Sequence, residues 1–251
     1  MNFIAKINNI EPTSNAGGSR LIDSLPGDTR ARWQGRLVEV NVRAGAVLVS
    51  GGQPVNHVYF PATALVATFN PEGTDTPMAA TLVGTDAMVG LGTLLDNAPA
   101  RHDMTVVLPG KVLRLEAALL REEFENSAPF RRVMLALLRA YIGELSQLAT
   151  CNRFHTLEQQ LCLRLVQIID HLAVDELAIT QGALAQLIGA RRERVNQIIG
   201  SLQTGGMVDL GRGRLTRLDR PGLLRRACSC YAVLANGRER FMRLADELRA
   251  A

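Results

Sequence analysis

Short apolar runs and turn residues alternate along the first half of the chain. Residues 37–116 contain seven β-rich runs: LVEVNV, AVLVS, HVYFP, LVATFN, MAATLVG, MTVVLPG and VLRLE. Gly, Pro, Asn and Asp separate these runs at the spacing that is typical of an antiparallel sandwich or barrel. The segment NPEGTD, residues 70–75, has the composition of a hairpin loop. The pattern predicts a β-domain over residues 31–118, after a loose polar arm over residues 1–30 with a short helix near Leu21.

The hydrophobic period changes in the middle of the chain. Apolar residues recur every three or four positions from Phe130 to Leu148, which predicts one long helix. The apolar stripe is longer than one small β-face could cover, so we expect a dimerisation helix, with a helix packed only on the β-domain as the alternative. A second helix begins at a capping box formed by Thr156 and Gln159, and the two helices span residues 119–173. The expected dimer contacts are Met134, Leu137, Leu138, Tyr141, Leu145 and Leu148.

A third pattern covers residues 174–219. Thr180 can cap a short helix, and Gly189 provides a turn before a second helix. Two strands around a hairpin at residues 211–213 follow this second helix. Helix, turn, helix and β-hairpin in this order predict a winged helix-turn-helix. Residues 220–251 predict a C-terminal helical extension, for which a break near Asn236 is an open alternative.

Positive charge is concentrated in the winged segment. The whole chain has a formal net charge of +4, but between residues 184 and 226 nine arginines stand against three acids. Residues 191–194 place four charged side chains at a helix start, where the helix dipole is already positive. An anion such as a DNA phosphate would complete this arrangement. A solvated charged face is the alternative, which explains the charges but not the neighbouring turn and hairpin.

The composition narrows the class of protein. Hydrophobic residues make up 47% of the chain and charged residues 21%, as in an ordinary globular protein. The sequence contains no apolar run of membrane-spanning length and no secretory signal pattern, and its four cysteines fit free thiols in a reducing compartment. We therefore expect a cytoplasmic protein without membrane association. Neither a nucleophile elbow nor a phosphate-binding glycine loop occurs, so no enzyme is predicted.

The segment ITQGALAQLIGARRERVNQIIGSLQTGGMVDLGRGRLTRLDRPGL, with the flanking TCNRFHTLEQQLC and CSCY, resembles the Crp/Fnr family of bacterial transcription regulators. The resemblance covers most of the chain. It implies an α+β fold: an N-terminal antiparallel β-roll of the cyclic-nucleotide-binding jelly-roll type, a long dimerisation helix and a C-terminal winged helix-turn-helix. It also implies a homodimer that binds pseudo-palindromic double-stranded DNA and works with RNA polymerase.

The resemblance assigns roles residue by residue in the winged segment. Arg192 and Glu193 match the base-reading pair of the family, so they would contact guanine and cytosine. Gln197 stands where cyclic-AMP-dependent members have an arginine, and it pairs better with adenine. The expected phosphate contacts are Thr180, Gln181, Arg191, Arg194, Arg212 and Arg214.

The β-roll departs from the pattern of nucleotide-binding relatives. The segment GTDAMVGLGTLLDNAPARHDMTVV occupies the phosphate-cassette region, with Gly90, Gly92, Arg101 and His102 as candidate effector residues. Leu91 stands where a ribose-binding carboxylate is typical, and the carboxylate of Asp103 is electrostatically unfavourable beside a phosphate. This argues against cyclic AMP as the effector. Two alternatives follow. The effector is a cyclic dinucleotide, or the protein is a ligand-independent regulator with a degenerate sensor domain.

The cysteines offer a second possible mode of regulation. Iron–sulfur members of the family carry a cysteine cluster near the N-terminus, which residues 1–30 lack, so no such cluster is expected. Cys151 and His155 are spaced i, i+4, and Cys228 and Cys230 form a close pair. These two pairs are not expected to converge on a metal, and buried structural thiols are the usual state of free cysteine. A redox- or metal-responsive regulator that uses Cys151 or the Cys228/Cys230 pair is the alternative function.

Overall fold

Two antiparallel sheets form the first half of the molecule. The computed structural model describes residues 12–13, 18–69, 78–172, 174 and 176–250, so the hairpin expected at residues 70–75 lies outside the described residues. The strands are β1 (Pro12–Thr13), β2 (Val38–Val42), β3 (Val47–Val49), β4 (His57–Pro61), β5 (Leu65–Phe69), β6 (Ala79–Val83), β7 (Asp103–Leu108) and β8 (Gly110–Glu116). One sheet has the order β1–β2–β8–β4 and the other β3–β7–β5–β6.

The central strands are buried on both faces. In β4, Tyr59 packs between the two sheets, whereas Val58 and Phe60 contact helices on the outside. In β5, Val66 points to the same interior and Leu65 points to a third cluster. Because side chains alternate along a strand, such near-continuous apolar runs are stable only where both faces of the sheet are covered. Helices on both sides of the β-roll provide this cover.

The helices follow and surround the sheets. They are α1 (Arg20–Asp23), α2 (Gly27–Trp33), a short 3₁₀ helix (Leu91–Leu94), α3 (Ala117–Asn126), α4 (Ala128–Phe154), α5 (Leu157–Leu172), α6 (Gln181–Ile188), α7 (Arg192–Thr204), α8 (Arg220–Arg226) and α9 (Cys230–Ala250). A two-stranded wing, β9 (Val208–Gly211) and β10 (Arg214–Leu218), follows α7. The expected long helix is α4, and the expected capping box is formed: the backbone N–H groups of Thr156 and Gln159 each reach the other's side-chain oxygen, at 3.0 and 3.3 Å.

Residues 18–30 belong to the packed core. The side chain of Leu21 in α1 is fully buried, and Trp33 at the end of α2 lies edge-on to Phe130, with ring centroids 5.3 Å apart. Arg32 donates two hydrogen bonds to the carboxylate of Glu123 in α3, and Thr29 donates a third. The short helix near Leu21 is present, but the expectation of a loose arm is wrong for this part of the chain because these contacts fix it to α3 and α4.

The C-terminal helix α9 is continuous and returns along α4. Phe241, Met242 and Ala245 are buried in the same cluster as Met134 and Leu137 of α4. The alternative of a break near Asn236 is therefore wrong. The glycine that follows Asn236 lies inside α9, where it lowers helix stability by about 1 kcal/mol relative to alanine. The burial of one apolar face of α9 against α4 and the β-roll offsets this loss.

Helix α4 has apolar residues on two different faces. Met134, Leu137 and Leu148, which we expected to contact a second subunit, are at most 5% exposed and pack within their own chain. Tyr141 is half-buried and its phenol oxygen lies 3.4 Å from the Thr81 hydroxyl in β6. Periodicity alone could not separate these residues from an outward face, because α9 and β6 cover positions that a lone helix would expose. The dimer contacts expected at Met134, Leu137 and Leu148 are therefore corrected, whereas the contact at the half-buried Tyr141 stays a prediction.

The outward face of α4 follows a heptad. Leu135, Ile142 and Leu145 are 51%, 65% and 37% exposed, and Leu138 between them is half-buried. Their spacing of three, four and three residues is that of the a and d positions of a coiled coil. The structure therefore leaves a narrow apolar seam, Leu135–Leu138–Ile142–Leu145, along the side of α4 that its own chain does not cover.

Candidate nucleic-acid interface and sensor region

The α6–α7 unit is built by local signals that the sequence carries. The Thr180 hydroxyl accepts a hydrogen bond from the backbone N–H of Ala183 at 3.1 Å and so caps α6. Gly189 ends α6 with a left-handed φ of +61°, a conformation that favours glycine. Helix α7 then buries its inner face on α6 and the wing through Val195, Ile198, Ile199 and Leu202. This is the predicted helix-turn-helix, and β9 and β10 form the predicted wing.

The turn of this unit rests on the β-roll. A Cβ at Gly189 would come within 2.9 Å of the side chain of Met78, the residue just before β6, so the turn packs directly against this part of the β-roll. The buried cluster around α5 combines residues of β5, β6 and β7 with residues of α6 and α7. The sensor domain and the DNA-binding domain therefore share one apolar core in this structure.

The first turn of α7 carries exposed, unpaired positive charge. The side chains of Arg191, Arg192, Glu193 and Arg194 are all exposed, and no side chain caps the helix at its N-terminal residue. Arg194 donates a hydrogen bond to the Gln197 side chain at 2.9 Å, which places these two side chains next to each other on the outer face. Uncapped N–H groups, the helix dipole and guanidinium groups thus all favour an external anion.

The arginines of the winged segment divide into two groups. Three are held by acids within the chain: Arg217 by Asp209, Arg220 by Asp170 and Arg226 by Glu158. The other six, Arg191, Arg192, Arg194, Arg212, Arg214 and Arg225, are exposed and make no ion pair with any residue that the structure describes. The expected phosphate-binding arginines all fall in this second group, on α7 and at the tip of the wing.

The two remaining expected phosphate contacts lie at the start of α6. Thr180 is exposed, but its oxygen is already engaged as the helix cap, so only its hydroxyl hydrogen is left to donate. Gln181 is half-buried in the first turn. Both are on the solvent side of the turn, and neither carries charge.

The phosphate-cassette region places its four candidate effector residues in different surroundings. Gly90 has a left-handed φ of +90° and leads into the 3₁₀ helix, which contains Gly92. Arg101 is exposed, and Asp103 uses its carboxylate to accept a hydrogen bond from the backbone of Gly51 at 2.8 Å. The ring Nδ1 of His102 is buried and has no hydrogen-bond partner among the described residues. The segment thus brings no converging set of polar groups to the sheet interior.

The space between the two sheets is filled by the chain's own side chains. Val40, Val66, Val83, Val106 and Val112 form a continuous cluster there together with Tyr59, whose exposed fraction is 6%. Burial raises the pKa of the Tyr59 phenol above its usual value. An effector in this place would have to displace apolar core residues.

A buried polar junction links the sensor domain to the C-terminal helices. Asp86, in the loop after β6, lies 3.1 Å from the Nδ1 of His171 in α5 and 2.6 Å from the Nε of Arg238 in α9. Burial alone would raise the pKa of Asp86, but its interaction with His171, the hydrogen bond to the His171 ring and the positive charge of Arg238 hold it well below its usual value. A side chain at Gly84 would overlap the His171 ring, so this glycine is what permits the contact. No sequence pattern indicated this junction, because its three side chains lie far apart along the chain.

The expectation that the cysteine pairs do not converge is wrong. The ligand atoms of Cys151, His155, Cys228 and Cys230 all lie within 4.8 Å of one another. The reversal of the chain between α8 and α9 brings the second pair back to the C-terminal end of α4, which sequence spacing could not reveal.

Among the described residues, no helix is long and apolar enough to cross a membrane.

Comparison with known proteins agrees with this architecture. Residues 39–127 match the family model of the cyclic nucleotide-binding domain, and residues 159–226 match that of the Crp-like helix-turn-helix domain. A search of curated proteins found no significant match.

Several solved structures have the same fold. A Crp/Fnr-family transcriptional regulator from Eubacterium rectale is 17% identical over 82% of this chain and 96% of its own, with a TM-score of 0.62. FixK2 from Bradyrhizobium japonicum is 15% identical over 77% of this chain and 98% of its own, with a TM-score of 0.65. CLP from Xanthomonas campestris, described as a c-di-GMP responsive global regulator, is 15% identical over 76% of this chain and 98% of its own, with a TM-score of 0.60. With both domains matched in sequence and in the order seen in these structures, the chain belongs to the Crp/Fnr family of DNA-binding transcription regulators.

Proposed function

We propose that this regulator binds pseudo-palindromic DNA as a homodimer, with α7 of each subunit in a major groove. The observation that carries the proposal is a set of five exposed arginines at the start of α7 and on the wing, none of which pairs with an acid in the part of the chain that the structure describes. Recognition helices of this kind contact base edges with their N-terminal residues, while neighbouring cations bind phosphates. RNA polymerase is the further partner that such a regulator requires.

Within this interface Arg192 and Glu193 are the proposed base-reading residues. Both are exposed in the first turn of α7 and neither is held by another side chain among the described residues. Gln197 lies one turn further on, and its side-chain oxygen accepts a hydrogen bond from Arg194 in the DNA-free chain. On DNA, Arg194 is proposed to turn to a phosphate, which frees the Gln197 amide to contact an adenine.

The homodimer is proposed to form along the seam Leu135–Leu138–Ile142–Leu145. Two parallel copies of α4 would bury these side chains against each other, and each fully buried Leu or Ile contributes about 1.5–3 kcal/mol. Leu138 and Leu145 are retained from the original dimer assignment, while Leu135 and Ile142 are added from their exposure.

The Arg192→Ala variant tests the base-reading role. A preferred site is first selected from random DNA by the wild-type protein, and binding is then measured by fluorescence anisotropy on that site and on a base-swapped site. We expect the variant to lose about 1–3 kcal/mol on the preferred site and little on the swapped one. Arg243→Ala on α9, which removes an equally exposed arginine outside the interface, is the matched control. An equal loss on both sites would reject base reading, and a failure to select any site would reject the DNA-binding proposal.

The β-roll is proposed not to bind cyclic AMP. Leu91 is buried where a carboxylate would hold the ribose, Arg101 points to solvent, and Asp103 is occupied by the backbone of Gly51. We therefore expect isothermal titration to show no binding at cyclic AMP concentrations up to about 1 mM, which corresponds to a binding free energy weaker than about −4 kcal/mol. A parallel titration uses c-di-GMP, since one structurally similar regulator is described as responsive to it. Micromolar binding of cyclic AMP would contradict the proposal.

A further inference from the structure

Four potential metal ligands meet where α4 ends. Cys151 lies in the last turn of α4 and His155 directly follows the helix, whereas Cys228 and Cys230 lie at the junction of α8 and α9. The Sγ atoms of Cys151 and Cys228 are 3.4 Å apart, and the Nδ1 of His155 is 3.5 Å from the Sγ of Cys230. Each of these two contacts therefore joins the C-terminal end of α4 to the segment that connects α8 and α9.

The distances fit a single tetrahedral ion. Metal–sulfur bonds of about 2.3 Å and metal–nitrogen bonds of about 2.0–2.1 Å give tetrahedral separations of about 3.8 Å between two sulfurs and about 3.5–3.6 Å between a sulfur and a nitrogen. The His155–Cys230 distance of 3.5 Å agrees with the second value, and the Cys151–Cys228 distance of 3.4 Å is a few tenths of an ångström shorter than the first. Since all four ligand atoms lie within 4.8 Å of one another, small side-chain shifts bring them to these separations. A disulfide between Cys151 and Cys228 would leave His155 and Cys230 without a role. An iron–sulfur cluster, with several metal atoms, would hold its ligands further apart.

The surroundings are those of a closed structural site. Cys151, Cys228 and Cys230 are almost fully buried in an apolar cluster with Leu148 and Leu163, so no open position for a substrate remains. Burial, followed by the neighbouring thiols, raises the pKa of Cys151. Thiols packed together in this way stay protonated unless a cation compensates their negative charge.

Hydrogen bonds around the sulfurs also suit thiolate ligands. The side-chain amide of Gln147, one turn before Cys151, donates to the Sγ of Cys230 at 3.0 Å. The backbone N–H of Cys230 donates to the Sγ of Cys228, which counters the rise in the pKa of that thiol. Donors of this kind orient metal ligands and tune their basicity.

We propose that Cys151, His155, Cys228 and Cys230 bind one zinc ion. Binding forms three Zn–S bonds and one bond to the neutral imidazole Nδ1, releases the three thiol protons to solvent and transfers no electrons. Thiolate and imidazole ligands in a closed tetrahedron select zinc over harder cations. The ion fastens the C-terminal end of α4, whose seam is the proposed dimer contact, to the segment that leads from the DNA-binding domain into α9.

The test measures metal bound to the full chain. Protein expressed in zinc-supplemented medium and purified without chelators is analysed by inductively coupled plasma mass spectrometry. We expect about one zinc per chain, falling to less than about a tenth in Cys151→Ser and in His155→Ala. Cys162→Ala is the matched control, since Cys162 is equally buried but lies outside the four-ligand group, and it should retain zinc.

A second readout separates loss of metal from loss of folding. His155 is only half-buried, so His155→Ala is expected to fold with unchanged circular dichroism and still to bind DNA. Cobalt(II) bound to the wild-type protein should give the intense visible absorption of a tetrahedral site with sulfur ligands, and His155→Ala should alter or abolish it. Three outcomes would overturn the proposal: folded wild-type protein without metal, a Cys151–Cys228 disulfide in protein prepared without oxygen, or equal loss of zinc in Cys162→Ala. None of these outcomes bears on the proposed DNA contacts.

Discussion

The Ile142→Glu variant is expected to be monomeric and to bind DNA at least about 100-fold more weakly than the wild-type protein. Ile142 lies in the middle of the seam Leu135–Leu138–Ile142–Leu145 and is 65% exposed in the single chain. In a parallel dimer the two introduced carboxylates would face each other in an apolar contact, where burying unpaired charge costs several kcal/mol. Without the dimer each subunit holds one half-site, and the gain from linking two binding events, about 10²–10⁴-fold, is lost.

Two measurements and one control define this experiment. Sedimentation equilibrium gives the mass of the protein in solution, and anisotropy on the selected palindrome gives its DNA affinity. Leu95→Glu is the matched control, because Leu95 is an isolated exposed leucine of the β-roll, 69% accessible, and lies outside α4. It should stay dimeric and bind normally. A dimeric Ile142→Glu with full affinity would show that the subunits associate through another surface.

The DNA-binding half was predictable from sequence because its signals are local. Thr180, Gly189 and the four buried positions of α7 each act within a few residues of their own place in the chain. The seven β-runs were recognisable for the same reason, since their boundaries are set by adjacent turn residues. For these elements the structure places the strands and helices where the patterns predicted them.

The features that sequence could not predict depend on distant partners. Helix α4 shows one broad apolar pattern, and only the return of α9 along it separates Met134 and Leu137 from Leu135 and Ile142. The same reversal brings the two cysteine pairs together. Likewise, nine arginines look equivalent in the winged segment until Asp170, from α5, is seen to hold Arg220.

The Asp86→Asn variant is expected to lower the free energy of unfolding by about 3 kcal/mol. Asp86 is 3% exposed and is the shared acid partner of His171 and Arg238, so its loss leaves the buried His171 ring and the charged guanidinium of Arg238 without that partner. Removing one partner of a buried ion pair costs about 3–5 kcal/mol, and the lower end applies because Arg238 is partly open to solvent. Urea denaturation followed by circular dichroism measures the change, with an unchanged m-value indicating an unchanged fold.

The same carboxylate predicts a specific acid sensitivity. Its pKa is depressed in the folded state, so the stabilisation is fully present above the unfolded-state value near 4 and is lost as the pH falls below it. The wild-type protein should therefore lose stability between about pH 5 and pH 2 more steeply than Asp86→Asn, in which this group no longer titrates. Parallel stability curves of the two proteins over this range would contradict the assignment.

A double-mutant cycle tests whether Asp86 acts through Arg238. Arg238 also donates to the backbone oxygen of Asp170 at the end of α5, so it contacts the sensor loop and the helix before the DNA-binding domain at the same time. If the two side chains stabilise each other, Asp86→Asn combined with Arg238→Met should cost at least about 1 kcal/mol less than the sum of the single changes. Asp246→Asn, which removes an exposed acid 3.9 Å from Arg249 on the same helix, should change stability by less than about 0.5 kcal/mol. Additive single changes would mean that Asp86 stabilises the fold through His171 alone, and that α9 is held to the sensor domain by its apolar face.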